Sequence, residues 1–195
     1  MHCIHGNGER EVLAWRRGEE SPAIPATYRD AMRWVAHVLT EEDAAWLAGW
    51  RPSLTLFGTG LGEVLFCHAT PNNDTDIFTR ETPEDELRPA FSSVAARLVV
   101  CGHTHMQFDR LVGQIRVVNA GSVGMPFAEP GAYWLDLGPD VCLRRTTYDT
   151  SAAADVIGRT AYPGAAEFAE RYVRRPPSEE DMLATYRRIT SRPVS

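Results

Sequence analysis

The amino-acid sequence predicts an α/β fold, and three observations carry that expectation. Two apolar runs, "EVLF" and "RLVV", lead into His68 and His103 and are separated by a segment of helical character, the signature of a strand-helix-strand crossover. Two later stretches, "FDRLVGQIRVVNAGSVG" and "GAYWLDLGPDVCLRRTTYD", each read as two strands about a glycine-containing turn. Segments of helical periodicity lie on both sides of them.

In chain order, "PATYRDAMRWVAHVL" carries apolar residues at helical spacing, and "TEEDAAWLAGW" opens a second helix with Thr40 as N-cap and Asp43 in the capping-box position. In "LTLFGTGLGEVLFCH" two short β-branched and aromatic runs flank a glycine-rich turn, a hairpin whose second strand delivers His68. The segment "TPEDELRPAFSSVAA" has Thr82 as N-cap, Pro83 at the first helical position and acids in the first turn, so a helix leads into "RLVVCGHTH". From Thr150 onward the pattern is helical, with "RRPPSEE" as a hinge and Ser178 capping "EEDMLATYRRI". A single domain over residues 1–195 is expected, with 150–195 a helical C-terminal extension packed on it.

A hydrophobic content of 44% over 195 residues supports one core, burying about two thirds of the surface that the unfolded chain exposes. The formal charge of −6 opposes a role on nucleic-acid backbones, which requires a basic stripe. A small anionic ligand is compatible where a local cation offsets the field. No apolar run approaches a membrane span, and the start "MHCIHGNGER" lacks the apolar segment of a secretory signal, so no membrane partner and a cytoplasmic location are expected. Cys3, Cys67, Cys101 and Cys142 form no CxxC pair and read as free thiols.

A crossover puts His68 and His103 at the same sheet edge, beyond the carboxyl ends of the strands, where open sheets bind ligands. Gly102 is expected to turn the backbone sharply, so that His103 and His105 aim at adjacent points. Imidazoles crowded together without a cation lose solvation and gain nothing, so the trio favours bound divalent metal. Imidazole and oxygen ligands suit Mn, Fe, Zn or Ni without choosing among them. Cys67 next to His68 suggests a thiol nucleophile with its base, but consecutive strand residues face opposite ways, and Cys101 belongs to an apolar run.

Four stretches occur in a telling order: "GNGE" at 6–9, "LFCHATP", "CGHTH" and "NAGSVGMP". Together they resemble the motifs of the calcineurin-like metallophosphoesterases, in their small bacterial and archaeal phosphodiesterase branch. The resemblance implies a two-sheet sandwich flanked by helices. It implies Asn7, His68 and His103 as ligands of one metal of a dinuclear pair and His105 as a ligand of the other, with Mn²⁺ the first expectation and Fe, Zn or Ni the alternatives. The implied activity is hydrolysis of a small phosphoester by a metal-activated hydroxide. Glu9, Asn72, Asn119 and Ser122 are candidates for substrate contact or loop support, with loop support favoured for Asn119 and Ser122. Ordinary turn chemistry explains Asn72, Asn73 and Asp74 equally well.

The chain departs from that family in three ways. It contains neither an Asp-x-His strand nor a Gly-Asp dipeptide, which by the resemblance supply the bridging carboxylate and most of the shell on the His105 side. Reading "CIHGN" as a decayed first motif fits poorly, because the two helices after it resemble the segment behind the third motif in relatives. The chain is therefore expected to be N-terminally truncated, to hold one ion or none, to hydrolyse weakly or not at all, and to expose a sheet edge that favours homo-oligomers. Gly8 replaces a histidine that resembles a leaving-group acid, which points to esters with good leaving groups or to an acid from elsewhere, such as His5. Ala120 replaces a loop proline, a change that Gly121 absorbs if it carries the special dihedral. The alternative function is a non-catalytic scaffold of the same fold, used for protein contact.

Overall fold

A sheet strand buried along its whole length lies at the centre of the molecule, whose computed structural model describes residues 1–22 and 24–191. Three helices come first: α1 (Asn7–Arg16), α2 (Ala26–Val38) and α3 (Glu41–Ala48). The hairpin β1 (Ser53–Gly58) and β2 (Gly62–Cys67) comes next, then α4 (Glu84–Phe91) and the central strand β3 (Leu98–Cys101). Two more hairpins, β4 (Phe108–Val112) with β5 (Ile115–Asn119) and β6 (Ala132–Leu137) with β7 (Val141–Thr146), precede the C-terminal helices.

The five-stranded sheet runs β1-β2-β3-β5-β4, with β3 parallel to both β2 and β5 and the outer strands antiparallel. A second, two-stranded sheet consists of β6 and β7. Alternation along the strands divides the core. Cys67, Val99, Cys101 and Val117 pack with Leu87 and Phe91 of α4, whereas Val64, Leu98, Val100 and Val118 pack with Leu135, Leu137 and Val141 of the second sheet. The result is a mixed α/β sandwich: helix, five-stranded sheet, two-stranded sheet. Valines dominate the two buried faces because β-branched side chains fill a pleated surface in one rotamer.

Three local details differ from the sequence expectation. The first helix, α1, starts within "GNGE": Gly6 is its N-cap and donates its N–H to Glu9 Oε2 at 2.8 Å. α4 begins at Glu84 rather than Pro83, because Pro83 is extended (ψ 140°), and Thr82 Oγ1 accepts from the Thr79 N–H at 2.9 Å instead of capping the helix. Between α6 (Ala165–Phe168) and α7 (Glu179–Thr190) lies a π-helical turn, Ala169–Arg174.

α5 (Thr150–Gly158) is capped by Asp149 and α7 by Ser178. Leu183 of α7 packs with Met106 and Phe127, the residues that adjoin His105 in sequence and in space. Residues 192–195 of the expected C-terminal extension lie outside the described residues. Among the described residues, no helix is long and apolar enough to cross a membrane.

Candidate metal centre

His68 directly succeeds the last residue of β2. Strand alternation sends the Cys67 side chain into the core, 3% exposed, and leaves His68 on the other side. The His68 ring lies directly against the backbone of Gly6. A Cβ at Gly6 would fall 2.4 Å from His68 Nδ1 and 2.6 Å from Cε1 and Cγ, so no larger residue fits there with the ring in place. On the neighbouring strand, the Gly102 N–H donates to the His68 carbonyl at 2.9 Å and carries the parallel pairing into the turn.

The turn itself is strained at the histidines and not at the glycine. Among the described residues, His103 (φ 65°) and His105 (φ 60°) are the non-glycine residues in the left-handed region, whereas Gly102 lies outside it, contrary to the expectation for that glycine. The Thr104 N–H donates to the Gly102 carbonyl at 2.7 Å and closes a γ-turn centred on His103, a conformation rarely adopted by residues with a side chain.

Asn119 holds this turn from beneath. It is fully buried and sits in register opposite Cys101. Its Nδ2 donates to the Gly102 carbonyl (2.5 Å) and to Thr104 Oγ1 (3.1 Å), and its Oδ1 accepts from the Gly121 N–H (2.9 Å). Gly121 takes φ 81°, and a Cβ there would stand 2.8 Å from Gln107 Cγ and Tyr133 Cβ, so glycine is required on both counts. Ser122 Oγ accepts from the Met125 N–H at 3.0 Å. Asn119 and Ser122 thus both hydrogen-bond to the backbone of these loops.

His68 Nε2 and His103 Nδ1 are 3.1 Å apart. Two imidazole nitrogens bound side by side to one ion, each at about 2.0–2.1 Å, stand roughly 3.0–3.4 Å from one another. The contact is a hydrogen bond between the two rings, and its length also falls within the spacing of two nitrogens on one ion. In His105, Nδ1 donates to the Met125 carbonyl at 2.7 Å, the ring lies 5.1 Å from that of Phe127, and Nε2 is left with its lone pair. Burial disfavours the protonated form of all three rings. Burial and then the neighbouring His103 push His68 down to about 4, and burial is the leading cause for His103 and His105.

Of the other predicted residues, Glu9 and Asn72 lie near His68. Asn7 opens α1 immediately after Gly6. Glu9 is engaged in the capping box. Asn72 lines a cleft of about 390 Å³ together with His5, Pro52, His68 and Asp74. Asn73 Oδ1 accepts from the Thr75 N–H and hydroxyl, both at 2.7 Å, an ordinary Asx turn. Sequence reasoning missed Arg10, which donates twice to Asp74 (2.7 and 2.9 Å) and ties α1 to the loop after His68. Its signal is weak, since a helix must first be recognised before Arg10 falls on its site-facing side. Among the described residues, no group of three or more His, Cys, Asp or Glu side chains converges closely enough to hold an ion. What the structure brings together is the two imidazoles of His68 and His103, with His105 a separate single nitrogen.

Comparison with known proteins adds an independent line. The sequence pattern of the calcineurin-like phosphoesterase superfamily domain matches residues 1–137. A hypothetical protein from Pyrococcus horikoshii OT3 has a similar structure (TM-score 0.72, 17% identity, covering 90% of this chain and 73% of the other). So does a metallophosphoesterase from Sphaerobacter thermophilus (TM-score 0.64, 17% identity, 86% and 75% covered). At these identities the likeness establishes a shared fold. No curated protein matches the sequence.

Proposed function

Since the chain belongs to the calcineurin-like phosphoesterase superfamily, we propose that it hydrolyses a small phosphoester in the cleft beside His68 with the aid of a divalent metal. The observation that carries this reading is the 3.1 Å approach of His68 Nε2 to His103 Nδ1. Two part-buried ring nitrogens at that separation can share a hydrogen bond or, with both lone pairs free, one ion. Asn7, His68 and His103 are the proposed ligands of one ion, with Mn²⁺ the metal to try first; His105 alone offers a single nitrogen, too little to hold a second. Bound there, the metal supplies a hydroxide at neutral pH and a positive field for the phosphoryl oxygens.

The chain's own residues do the positioning. Asn119 and Gly121 fix the turn that aims His103, the Met125 carbonyl sets the tautomer of His105, and Gly6 leaves room for the His68 ring. Asn72, on the cleft wall, is placed to contact the substrate.

The test is Mn²⁺ titration calorimetry alongside hydrolysis of an aryl phosphodiester and an aryl phosphomonoester, for the parent chain and His68→Ala. The parent is expected to bind Mn²⁺ and turn over at least one ester, with both properties lost in the variant. A parent chain that binds Mn²⁺ and hydrolyses neither ester refutes the catalytic reading and leaves a metal-holding scaffold.

A further inference from the structure

One sealed polar atom beside the candidate centre lacks a partner. His5 Nδ1 is buried and makes no hydrogen bond among the described residues, although buried polar atoms in folded proteins are nearly always paired. The backbone fixes its position: the His5 N–H donates to the Arg51 carbonyl at 3.0 Å, next to the parallel bridge between Ile4 and Arg51. The side chain lines the same cleft of about 390 Å³ as His68 and Asn72.

The unpaired nitrogen decides which way the ring can be used. In a neutral imidazole one nitrogen carries the proton and the other the lone pair. Nε2 is the nitrogen that is not sealed, so the tautomer with its proton on Nε2 is the one that can donate to a ligand. His5 then presents a fixed N–H donor to the cleft. Neighbouring groups are committed elsewhere: both Asp74 oxygens take hydrogen bonds from Arg10, and Asn73 Oδ1 serves Thr75. Gly8, three residues further on, offers no side chain and has nothing within 4 Å of where a Cβ would stand.

We propose that His5 is a substrate-contacting residue whose Nε2–H donates to a phosphoryl oxygen of the bound ester and of the phosphate it releases. This deepens, and rests on, the phosphoester reading above.

The experiment is calorimetric binding of Mn²⁺, and then of inorganic phosphate to the Mn²⁺-loaded full chain, for the parent, His5→Ala and His5→Gln, with a thermal melt of each. Mn²⁺ affinity is expected to be the same in all three. Phosphate should bind roughly 10-fold or more weakly to His5→Ala, and His5→Gln, whose amide N–H reaches a similar point, should recover most of the loss. Equal phosphate affinity in the parent and His5→Ala overturns the assignment, as does an equal loss in both variants. A parent that binds Mn²⁺ but no phosphate overturns the role of His5 alone. A parent that binds neither overturns the phosphoester reading, and this inference with it.

Discussion

The substitution Gly6→Ala tests the candidate centre without touching a ligand. The new methyl would lie 2.4 Å from His68 Nδ1, where ordinary contact begins near 3.4 Å, so either the ring or the start of α1 has to retreat by about 1 Å. Gly6 has φ −108°, open to any residue, so the clash is the sole backbone-level cost. A 1 Å retreat of the ring takes Nε2 off its 3.1 Å spacing from His103 Nδ1. Misplacing a ligand in this indirect way typically weakens metal binding by about 10–100-fold, and overpacking costs about 1–3 kcal/mol of stability. The control is Gly8→Ala, two residues away on α1, where a Cβ meets nothing within 4 Å. Alanine replaces glycine inside a helix with a gain of about 0.5–1 kcal/mol, so this variant should melt higher and bind Mn²⁺ unchanged. Mn²⁺ calorimetry and thermal melts on both variants read the outcome. If Gly6→Ala binds Mn²⁺ as tightly as the parent, with the His68 ring resonances unmoved, the packing argument is wrong.

The same geometry sets three further outcomes. Asn119→Ala removes three hydrogen bonds at a fully buried position; a loss of about 2–4 kcal/mol, seen as a melting point lower by roughly 5–15 °C, is expected, and an unchanged melt would show that the turn holds itself. Burial pushes the Cys67 thiol up to about 12 and Cys101 well above its usual range, so iodoacetamide at pH 8 should alkylate Cys3 and Cys142 and spare these two in the native protein; peptide mapping that finds Cys67 modified first would revive a thiol mechanism. The hydrogen bonds from Arg10 hold the Asp74 carboxyl below its usual 3.8, so the pair's stability is present above that value and fades as the pH falls through the folded pKa. With both side chains partly exposed, Asp74→Asn should cost at most about 1 kcal/mol at pH 7 and less towards acid in urea titrations; a constant difference across pH would assign the effect to packing.

Much of the fold was legible because its signals are local. The Thr40–Asp43 capping box, the glycine turns of the hairpins and the 3.6-residue stripe of α2 need only a few neighbouring residues to be read. The crossover from β2 to β3 was readable too, since a helix between two apolar runs leaves few topologies. The features that escaped are those decided by tertiary contact. α1 begins with two glycines within three residues, a poor helix signal on propensity alone, and becomes legible only when Glu9 is seen to return to the Gly6 N–H. The pairing of Arg10 with Asp74 spans 64 residues and has no sequence period. The π-helical turn at Ala169–Arg174 depends on a backbone slip that no residue in "AERYVR" announces.

The location of strain in the "CGHTH" turn bears on how the site is made. Sequence reasoning assigned the sharp turn to Gly102, the residue for which left-handed geometry is free; the structure puts it on His103 and His105. Each costs of order 1–3 kcal/mol and persists only where the surroundings over-determine it. Here the surroundings are identifiable: a buried amide that bonds both ends of the γ-turn, a glycine behind it that alone fits between Gln107 and Tyr133, and a strand register that places Asn119 beneath the turn. A glycine-centred turn would relax freely among several conformations and let the two rings drift. A turn held against its own preference by a packed sheet has one conformation, and in that conformation two ring nitrogens from separate strands meet at 3.1 Å.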